Sequence, residues 1–262
     1  MQRRIRNSAE RGNTAMIVDK LNDIINSCGE KSSLKSFCLY VRDNIYDTDH
    51  LNVRDIAEGC YLSKGQISKC IRHLGYDTFA DFKDDCVSYK ESLTRKKSLF
   101  DPCKDFSANI LGTTQRYVKC LEYTVRHLDY QKLSEITGDI MTGRCVYLYG
   151  QGEARGNCYN IQRELKYLNV SVLILDESLK ENVVFDDRDL MVVISTNGQL
   201  FQYNERRVRI LKSMPVRKWL VTCNRKISFC NDQFVIPSQD PSFNEMIMTY
   251  VLNMILMLAK TV

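Results

Sequence analysis

The chain has 262 residues, of which 44% are hydrophobic and 26% charged, and it carries a formal net charge of +5. This composition excludes a disordered or fibrous protein, and the length suits one large domain or two modest ones. The 11 cysteines are scattered and never spaced C-x-x-C, which predicts reduced thiols of a cytoplasmic protein rather than disulfides or a zinc site, so we expect no metal.

The N-terminal segment "MQRRIRNSAERGN" is basic but lacks the apolar stretch of a signal peptide. Its arginines Arg3, Arg4, Arg6 and Arg11 suit contact with a DNA minor groove, although a frayed tail would have the same composition. Two amphipathic helices are predicted next, in "MIVDKLNDIINSC" and "SLKSFCLYVRDNI", because apolar residues recur there with the helical period.

Residues 52–83, "NVRDIAEGCYLSKGQISKCIRHLGYDTFADFK", predict a helix-turn-helix. Ala57 is small enough for two helices to cross closely, and "CYLS" forms the turn. Ser63 is a good N-cap for the second helix because its hydroxyl can accept a hydrogen bond from a backbone N–H at the helix start. Gly75 then suits the left-handed residue that ends this helix.

The second helix presents a polar outward face, which is the candidate DNA-binding surface. Its members are Ser63, Lys64, Gly65, Gln66, Ser68, Lys69 and Arg72. Glutamine can pair with the edge of adenine, while lysine and arginine can reach guanine or phosphate. The alternative is a polar face that is merely solvated.

The same stretch resembles the helix-turn-helix domain of the RpiR family of bacterial regulators. The matching positions are Ile56, Ala57, Leu62, Ser63, Ile67, Ser68, Lys69, Leu74, Gly75, Tyr76, Phe79, Phe82 and Lys83. Tyr61 departs from the pattern, because many helix-turn-helix sequences have glycine there to allow a positive φ. The resemblance implies a transcriptional regulator that binds double-stranded DNA. Since one such motif makes few base contacts, we expect a homodimer or higher oligomer on a palindromic operator.

The pattern changes beyond "ESLTRKKSLFDPC", which we interpret as a linker. Short apolar runs then alternate with helical segments, which predicts a parallel sheet covered on both faces. The predicted domains are an all-α helix-turn-helix domain at residues 1–90, a linker at 91–104 and an α/β domain at 105–262. The terminal apolar run "MIMTYVLNMILMLAK" is short for a bilayer and contains Asn253, so it predicts a core helix and no membrane partner.

The resemblance to RpiR regulators extends more weakly over the α/β domain, where the family has a sugar isomerase (SIS) domain that senses phosphosugars and dimerises. It implies a ligand site in the loops after two strands. The candidate residues are Gly150, Gly152, Glu153, Ala154, Arg155, Ser195, Thr196, Asn197, Gly198 and Gln199. The structural alternative is that these glycines only form tight turns.

Three positions of this candidate site lack the family's hydroxyls: Ala154, Asn197 and Leu200. We therefore expect an effector unlike the plain sugar phosphates, such as a larger polar or carboxylate ligand that Asn197, Gln199 and Arg155 could bind. Restoring hydroxyls with Ala154→Ser, Asn197→Ser and Leu200→Thr should then strengthen phosphosugar binding. A vestigial pocket in a domain that only dimerises is the other possibility.

The motifs and the resemblance together predict an RpiR-type regulator of sugar or amino-sugar metabolism genes that responds to a small ligand. We expect the protein to need no cofactor and to have no enzymatic activity. No histidine follows His127, and Glu153 and Glu205 are candidate bases by residue type only. The alternative is a redox-sensing regulator or reductase that binds a nicotinamide dinucleotide, because "GQGEARG" is similar to G-x-G-x-x-G and Asp176 ends the next strand. The match is imperfect, since Arg155 stands at the third glycine.

Overall fold

The structure is a computed structural model that describes residues 17–29, 32–47, 50–97, 99–175, 185–203 and 205–261. The basic N-terminal segment with Arg3, Arg4, Arg6 and Arg11 lies outside the described residues, as does Asp176. The described chain forms a helical unit followed by an α/β unit, so the predicted fold class is confirmed.

The helical unit has five helices within the described residues. They are α1 (Ile17–Ser27), α2 (Ser33–Asp43), α3 (Val53–Cys60), α4 (Lys64–His73) and α5 (Phe79–Lys97). Helix α5 continues into the segment predicted as a linker, so residues 91–97 are helical. The sequence pattern does not distinguish the two, because lysine, arginine and glutamate suit a solvated helix as well as a linker.

Aromatic residues complete the hydrophobic core of this helical unit. Phe82 is almost fully buried, and its ring centroid lies 5.7 Å from that of Phe37 and 5.7 Å from that of Tyr76. The ammonium group of Lys20, a buried residue, lies 4.2 Å from the centroid of the Tyr76 ring. The aromatic residues after α4 therefore pack the helix-turn-helix against α1, α2 and α5.

The α/β unit follows. Its elements are α6 (Phe106–His127), α7 (Tyr130–Thr142), β1 (Val146–Gly150), α8 (Glu153–Lys166), β2 (Val172–Ile174), β3 (Leu190–Ile194), α9 (Gln199–Tyr203), α10 (Glu205–Ser213), β4 (Arg217–Thr222), β5 (Asp232–Val235), a 3-10 turn (Pro241–Phe243) and α11 (Asn244–Ala259). All neighbouring strands pair in parallel, in the order β2-β1-β3-β4-β5.

Both faces of this sheet are covered, because alternate residues of a strand point to opposite sides. Val146 and Leu148 of β1 join a cluster with α7, α8 and α11, whereas Tyr147 and Tyr149 join one with α9 and α10. The stretch Pro241–Ala259 is long and apolar enough to cross a membrane by length and composition alone. Half of it is buried, and α11 packs on α7 and α8 as the core helix that we predicted.

The strand order reverses between β1 and β3. The chain leaves β1 toward one edge of the sheet, through α8 to β2, and leaves β3 toward the other edge, through α9 and α10 to β4. The loops after β1 and β3 therefore meet at a switch point, which is where open parallel sheets bind their ligands.

The buried indole of Trp219 in β4 generates a stability prediction. Its Nε1 donates to Oδ2 of Asp139 on α7 at 2.7 Å, and Arg217 also donates to Asp139 at 2.7 Å. Asp139→Ala would leave a buried N–H without an acceptor, so we expect a loss of about 1–3 kcal/mol in the free energy of unfolding, measured in urea. Arg217→Ala removes only the partly exposed ion pairs with Asp139 and Asp232 and should cost less than about 1 kcal/mol. Equal losses would contradict this assignment.

Candidate functional site

Both helices of the predicted helix-turn-helix begin at reciprocal caps. Ser63 Oγ accepts a hydrogen bond from the Gln66 backbone N–H at 3.3 Å, and Gln66 Oε1 accepts one from the Ser63 backbone N–H at 2.8 Å. Asn52 and Asp55 form the same arrangement at the start of α3. These caps fix where α4 starts and therefore which of its residues face outward.

The turn between the helices requires a left-handed residue, and that residue is Tyr61. It has φ 56° and ψ 40°, and its side chain is 95% exposed. The next residue, Leu62, donates its N–H to the Ala57 carbonyl at 2.9 Å and packs against the core. Tyr61 stands where many helix-turn-helix sequences have glycine. It therefore adopts the left-handed conformation that the turn requires, at a cost in backbone strain.

Helix α4 ends as predicted, with Gly75 in the left-handed region at φ 89°. The Tyr76 N–H donates to the Ile71 carbonyl at 3.2 Å across this turn. Ile67, Cys70 and Ile71 face the core. The chain therefore turns sharply after α4, and the helix keeps one apolar face inward.

All seven residues of the candidate DNA-binding surface are exposed. They are Ser63, Lys64, Gly65, Gln66, Ser68, Lys69 and Arg72. Within the part of the chain that the structure describes, no ion pair involves Lys64, Lys69 or Arg72. The side-chain oxygen of Gln66 accepts the hydrogen bond from the Ser63 N–H that completes the cap. Gln66 therefore stabilises the start of α4 and also faces outward.

Two residues that were not predicted as members of this surface, His73 and Tyr61, also flank it. His73 is exposed one turn beyond Lys69, and Tyr61 lies with Lys64 and Arg54 at a notch where α3 meets the start of α4. Arg54 donates to Glu58 at 2.7 Å, so its charge is balanced within α3. The sequence could have identified His73, because it lies four residues, about one helical turn, after Lys69. It could not place Tyr61, because the direction of that side chain depends on the conformation of the turn.

The loop after β1 presents few donors for a ligand. Ala154 is buried against β1, and a Cβ on Gly150 would lie 2.8 Å from the Ala154 carbonyl oxygen. Arg155 is also buried: its Nη1 donates to the Leu175 carbonyl at 2.7 Å, and its guanidinium lies over the Tyr159 ring. Arg155 thus joins α8 to the end of β2, and its guanidinium is held inside the fold rather than presented to a ligand.

The loop after β3 is held by the start of α11. Thr196 Oγ1 donates to Glu245 Oε2 at 2.9 Å, and Asn197 Nδ2 donates to Glu245 Oε1 at 3.1 Å. Asn244 Nδ2 donates to Asn197 Oδ1 at 2.7 Å. The Thr196 hydroxyl and the Asn197 amide are therefore engaged by a carboxylate of the same chain.

The rest of this loop is fixed by packing. Ser195 is buried, and its carbonyl accepts a hydrogen bond from Thr222 Oγ1 at 2.7 Å. Gly198 has φ 84°, and a Cβ there would lie 2.5 Å from Ile227 Cδ1, so only glycine fits. Gln199 begins α9, and its Nε2 donates to the Ser88 carbonyl of α5 at 3.1 Å. Through Gln199 the loop contacts the helical unit.

Leu200 points into the core rather than toward the loops. It is 5% exposed and belongs to the cluster that contains Tyr147 and Tyr149. The hypothesis that Leu200→Thr restores a ligand donor is therefore wrong, because the threonine hydroxyl would lie in an apolar cluster. Ala154→Ser would likewise place a hydroxyl at a buried position.

A cleft of about 740 Å³ opens beside these loops, between the segment after α5, helix α6 and the starts of α8 and α11. Glu153 and Glu245 line it, and none of its described lining residues is lysine, arginine or histidine. Burial and the charge of Glu245 raise the pKa of the Cys223 thiol. Two carboxylates therefore lie at the helix starts beside the candidate ligand loops.

Sequence comparison relates the chain to bacterial regulators. It is 26% identical over 189 residues to an uncharacterized HTH-type transcriptional regulator in the aarA 3′ region of Providencia stuartii, a match covering 70% of this chain and 66% of that protein. It is 20% identical over 191 residues to the HTH-type transcriptional regulator GlvR of Bacillus subtilis strain 168, covering 69% of this chain and 68% of GlvR. The chain is similar to HTH-type transcriptional regulators. No family model matches it.

Solved structures with a related arrangement include Vibrio vulnificus NanR in complex with ManNAc-6P. That structure has a TM-score of 0.47 and 13% identity, and the match covers 94% of this chain and 91% of NanR. The sugar isomerase domain of an RpiR transcription factor from Sphaerobacter thermophilus has a TM-score of 0.44 and 14% identity, covering 59% of this chain and 93% of that domain. Both sequence relatives are named as HTH-type regulators, which agrees with the helix-turn-helix predicted for residues 52–83.

The left-handed conformation of Tyr61 predicts a stabilising substitution. Tyr61→Gly removes the clash of a Cβ in this region and loses little packing, because the side chain is 95% exposed. The gain, less the backbone entropy cost of glycine, should be about 0.5–1 kcal/mol in the free energy of unfolding, measured in urea. Tyr61→Ala keeps the Cβ and serves as the control, with no gain expected. Equal stability of the two variants would show that the turn is not strained.

Proposed function

We propose that this chain is a DNA-binding transcriptional regulator of RpiR type, with α4 as the recognition helix. The observation that carries the proposal is the outward face of α4, where Lys64, Lys69 and Arg72 are exposed on a helix with a fixed start and end. Lysine and arginine on such a helix can contact phosphates and the edge of guanine. The similarity to HTH-type regulators supports the same assignment.

The active form in this proposal is a homodimer on a palindromic operator. One α4 offers too few base contacts for useful specificity, and a two-fold axis doubles them. Such a protein acts in the cytoplasm, where the DNA is. Its effect would be on sugar or amino-sugar metabolism genes, as the RpiR resemblance implies.

The α/β unit is proposed as the sensor of a small ligand at the switch point. The hydrogen bond from Gln199 to the Ser88 carbonyl supplies a route from this loop to α5, which packs against α4. A ligand that moves the loop would therefore change how α5 packs against the recognition helix. We propose no catalytic role, because all three histidines, His50, His73 and His127, lie outside the two candidate loops.

The nicotinamide dinucleotide alternative is not part of the proposal. A pyrophosphate at the start of α8 would lie beside Glu153, with Glu245 across the same cleft. Arg155 stands where the G-x-G-x-x-G motif has its third glycine. It is buried and donates a hydrogen bond to the Leu175 carbonyl. Both features disfavour a bound dinucleotide at this loop.

The proposal predicts steep salt dependence of DNA binding. If Lys64, Lys69 and Arg72 of both protomers meet phosphates, the slope of log K against log salt concentration should be on the order of −5 because of counterion release. Lys69→Ala should make the slope shallower by about 2 units for the dimer. The measurement is fluorescence anisotropy with a labelled duplex at several salt concentrations.

Lys166→Ala is the matched control, because Lys166 is an exposed lysine at the end of α8 in the other unit. It should leave the slope unchanged. Affinity that does not depend on salt, or equal effects of the two lysine variants, would contradict the assignment of α4. Sedimentation of the unmodified protein at micromolar concentration should show a dimer, and a stable monomer would contradict the two-fold arrangement.

A further inference from the structure

We propose that Tyr61 contacts the DNA backbone, with its phenol hydroxyl donating a hydrogen bond to a phosphate beside the groove that α4 enters. This inference rests on the proposed function, in which α4 is the recognition helix, and it adds a contact residue that lies outside that helix. Glycine, which many helix-turn-helix sequences have at this position, has no side chain to make this contact.

The first argument is the position of Tyr61 relative to α4. Tyr61 is the C-cap of α3 and lies two residues before Ser63, the N-cap of α4. In a docked helix-turn-helix, the first residues of the second helix reach base edges, and the helix before it crosses the phosphate backbone. A side chain in the turn between the two helices is therefore close to the phosphates at the edge of the groove.

The second argument is the direction of the side chain. Tyr61 is 95% exposed, the highest fraction among the large apolar and aromatic side chains of the described residues. Its backbone N–H donates to the Glu58 carbonyl at 3.2 Å, and the next N–H, of Leu62, donates to the Ala57 carbonyl at 2.9 Å. These bonds hold the base of the side chain in a fixed place relative to α4. Tyrosine has only two rotatable side-chain angles, so ordering it against DNA costs little entropy.

The third argument is the unfavourable backbone conformation that this residue adopts. At φ 56° a Cβ crowds the neighbouring carbonyl oxygen, and glycine would avoid that crowding. A side chain as exposed as Tyr61 recovers little of this cost by packing within the chain. Strained residues cluster at binding sites, where the strained conformation serves a contact with the ligand. A contact with DNA gives tyrosine a use at this position that glycine could not have.

The fourth argument is the chemistry of the groups around Tyr61. Arg54, Glu58 and Lys64 line the same notch, and Arg54 Nε lies 2.7 Å from Glu58 Oε1, so these two charges balance each other. The exposed Lys64 then leaves the notch with a net positive charge, which attracts a phosphate. Tyrosine hydroxyls are among the side-chain donors that bind phosphate oxygens at protein–DNA interfaces. A phenol beside a lysine therefore favours a phosphate as the acceptor.

The test is fluorescence anisotropy with a labelled duplex that the full chain selects from a random pool. Tyr61→Phe keeps the ring, the Cβ and the strained backbone and removes only the hydroxyl. It should bind about tenfold more weakly, because a dimer loses two hydrogen bonds of typical net strength. The slope of log K against log salt concentration should stay the same, because a phenol neutralises no phosphate charge. An affinity of Tyr61→Phe equal to that of the unmodified chain overturns the inference.

Two further variants separate this contact from a structural role. Tyr61→Gly should stabilise the fold and yet weaken DNA binding at least tenfold, so its effects on stability and affinity have opposite signs. Tyr167→Phe is the matched control, because Tyr167 is 78% exposed at the end of α8 in the other unit, and it should bind like the unmodified chain. Equal losses in the two phenylalanine variants, or a salt slope that becomes shallower in Tyr61→Phe as it does in Lys69→Ala, overturn the inference.

The outcome is separable from that of the proposed function. A chain that binds no duplex overturns both the assignment as a regulator and this contact. Salt-dependent binding with a shallower slope in Lys69→Ala, together with unchanged affinity in Tyr61→Phe, overturns this inference alone and leaves α4 as the recognition helix.

Discussion

The two-sided burial of the parallel sheet is the constraint on which the candidate sensor site depends. Strands β1 and β3 are buried along their whole length, so helices must cover both faces and the connections must cross over the sheet. With the order β2-β1-β3-β4-β5, this places the loops after β1 and β3 side by side. Helix α11 then packs over the same end of the sheet and brings Glu245 to the loops.

Glu245 explains why the site differs from what the RpiR resemblance implies. In that resemblance, hydroxyls and helix amides hold a phosphate. Here Thr196 and Asn197 donate to a carboxylate of the chain itself, and Ala154 and Leu200 are buried. The donors of this loop are therefore engaged within the chain, and Glu153 adds a second carboxylate to the lining of the cleft.

The features that the sequence predicts well are those that depend on neighbouring residues. The Ser63 cap, the left-handed Gly75 and the inward face of α4 all follow from residues within four positions of one another. The alternation of short apolar runs and helical segments likewise predicts the parallel sheet, because each strand must be buried on both faces.

The features that the sequence could not predict come from distant partners. Thr196 and Glu245 are 49 positions apart, and Gln199 and Ser88 are 111 positions apart, so no local pattern joins them. Arg155 was assigned to a ligand by its charge, yet the chain folds it against the Leu175 carbonyl. A polar side chain has several possible partners, and only the tertiary structure decides between them.

The central claim is that two copies of α4 read a symmetric DNA site. The most direct measurement is selection of bound sequences from a random duplex pool with the full chain at near-physiological salt. The account predicts enrichment of a palindrome whose half-sites are about 10 base pairs apart, or a multiple of that spacing, since each α4 enters a major groove on the same face of the duplex. Enrichment of no motif, or of a single half-site without its symmetric copy, would contradict it.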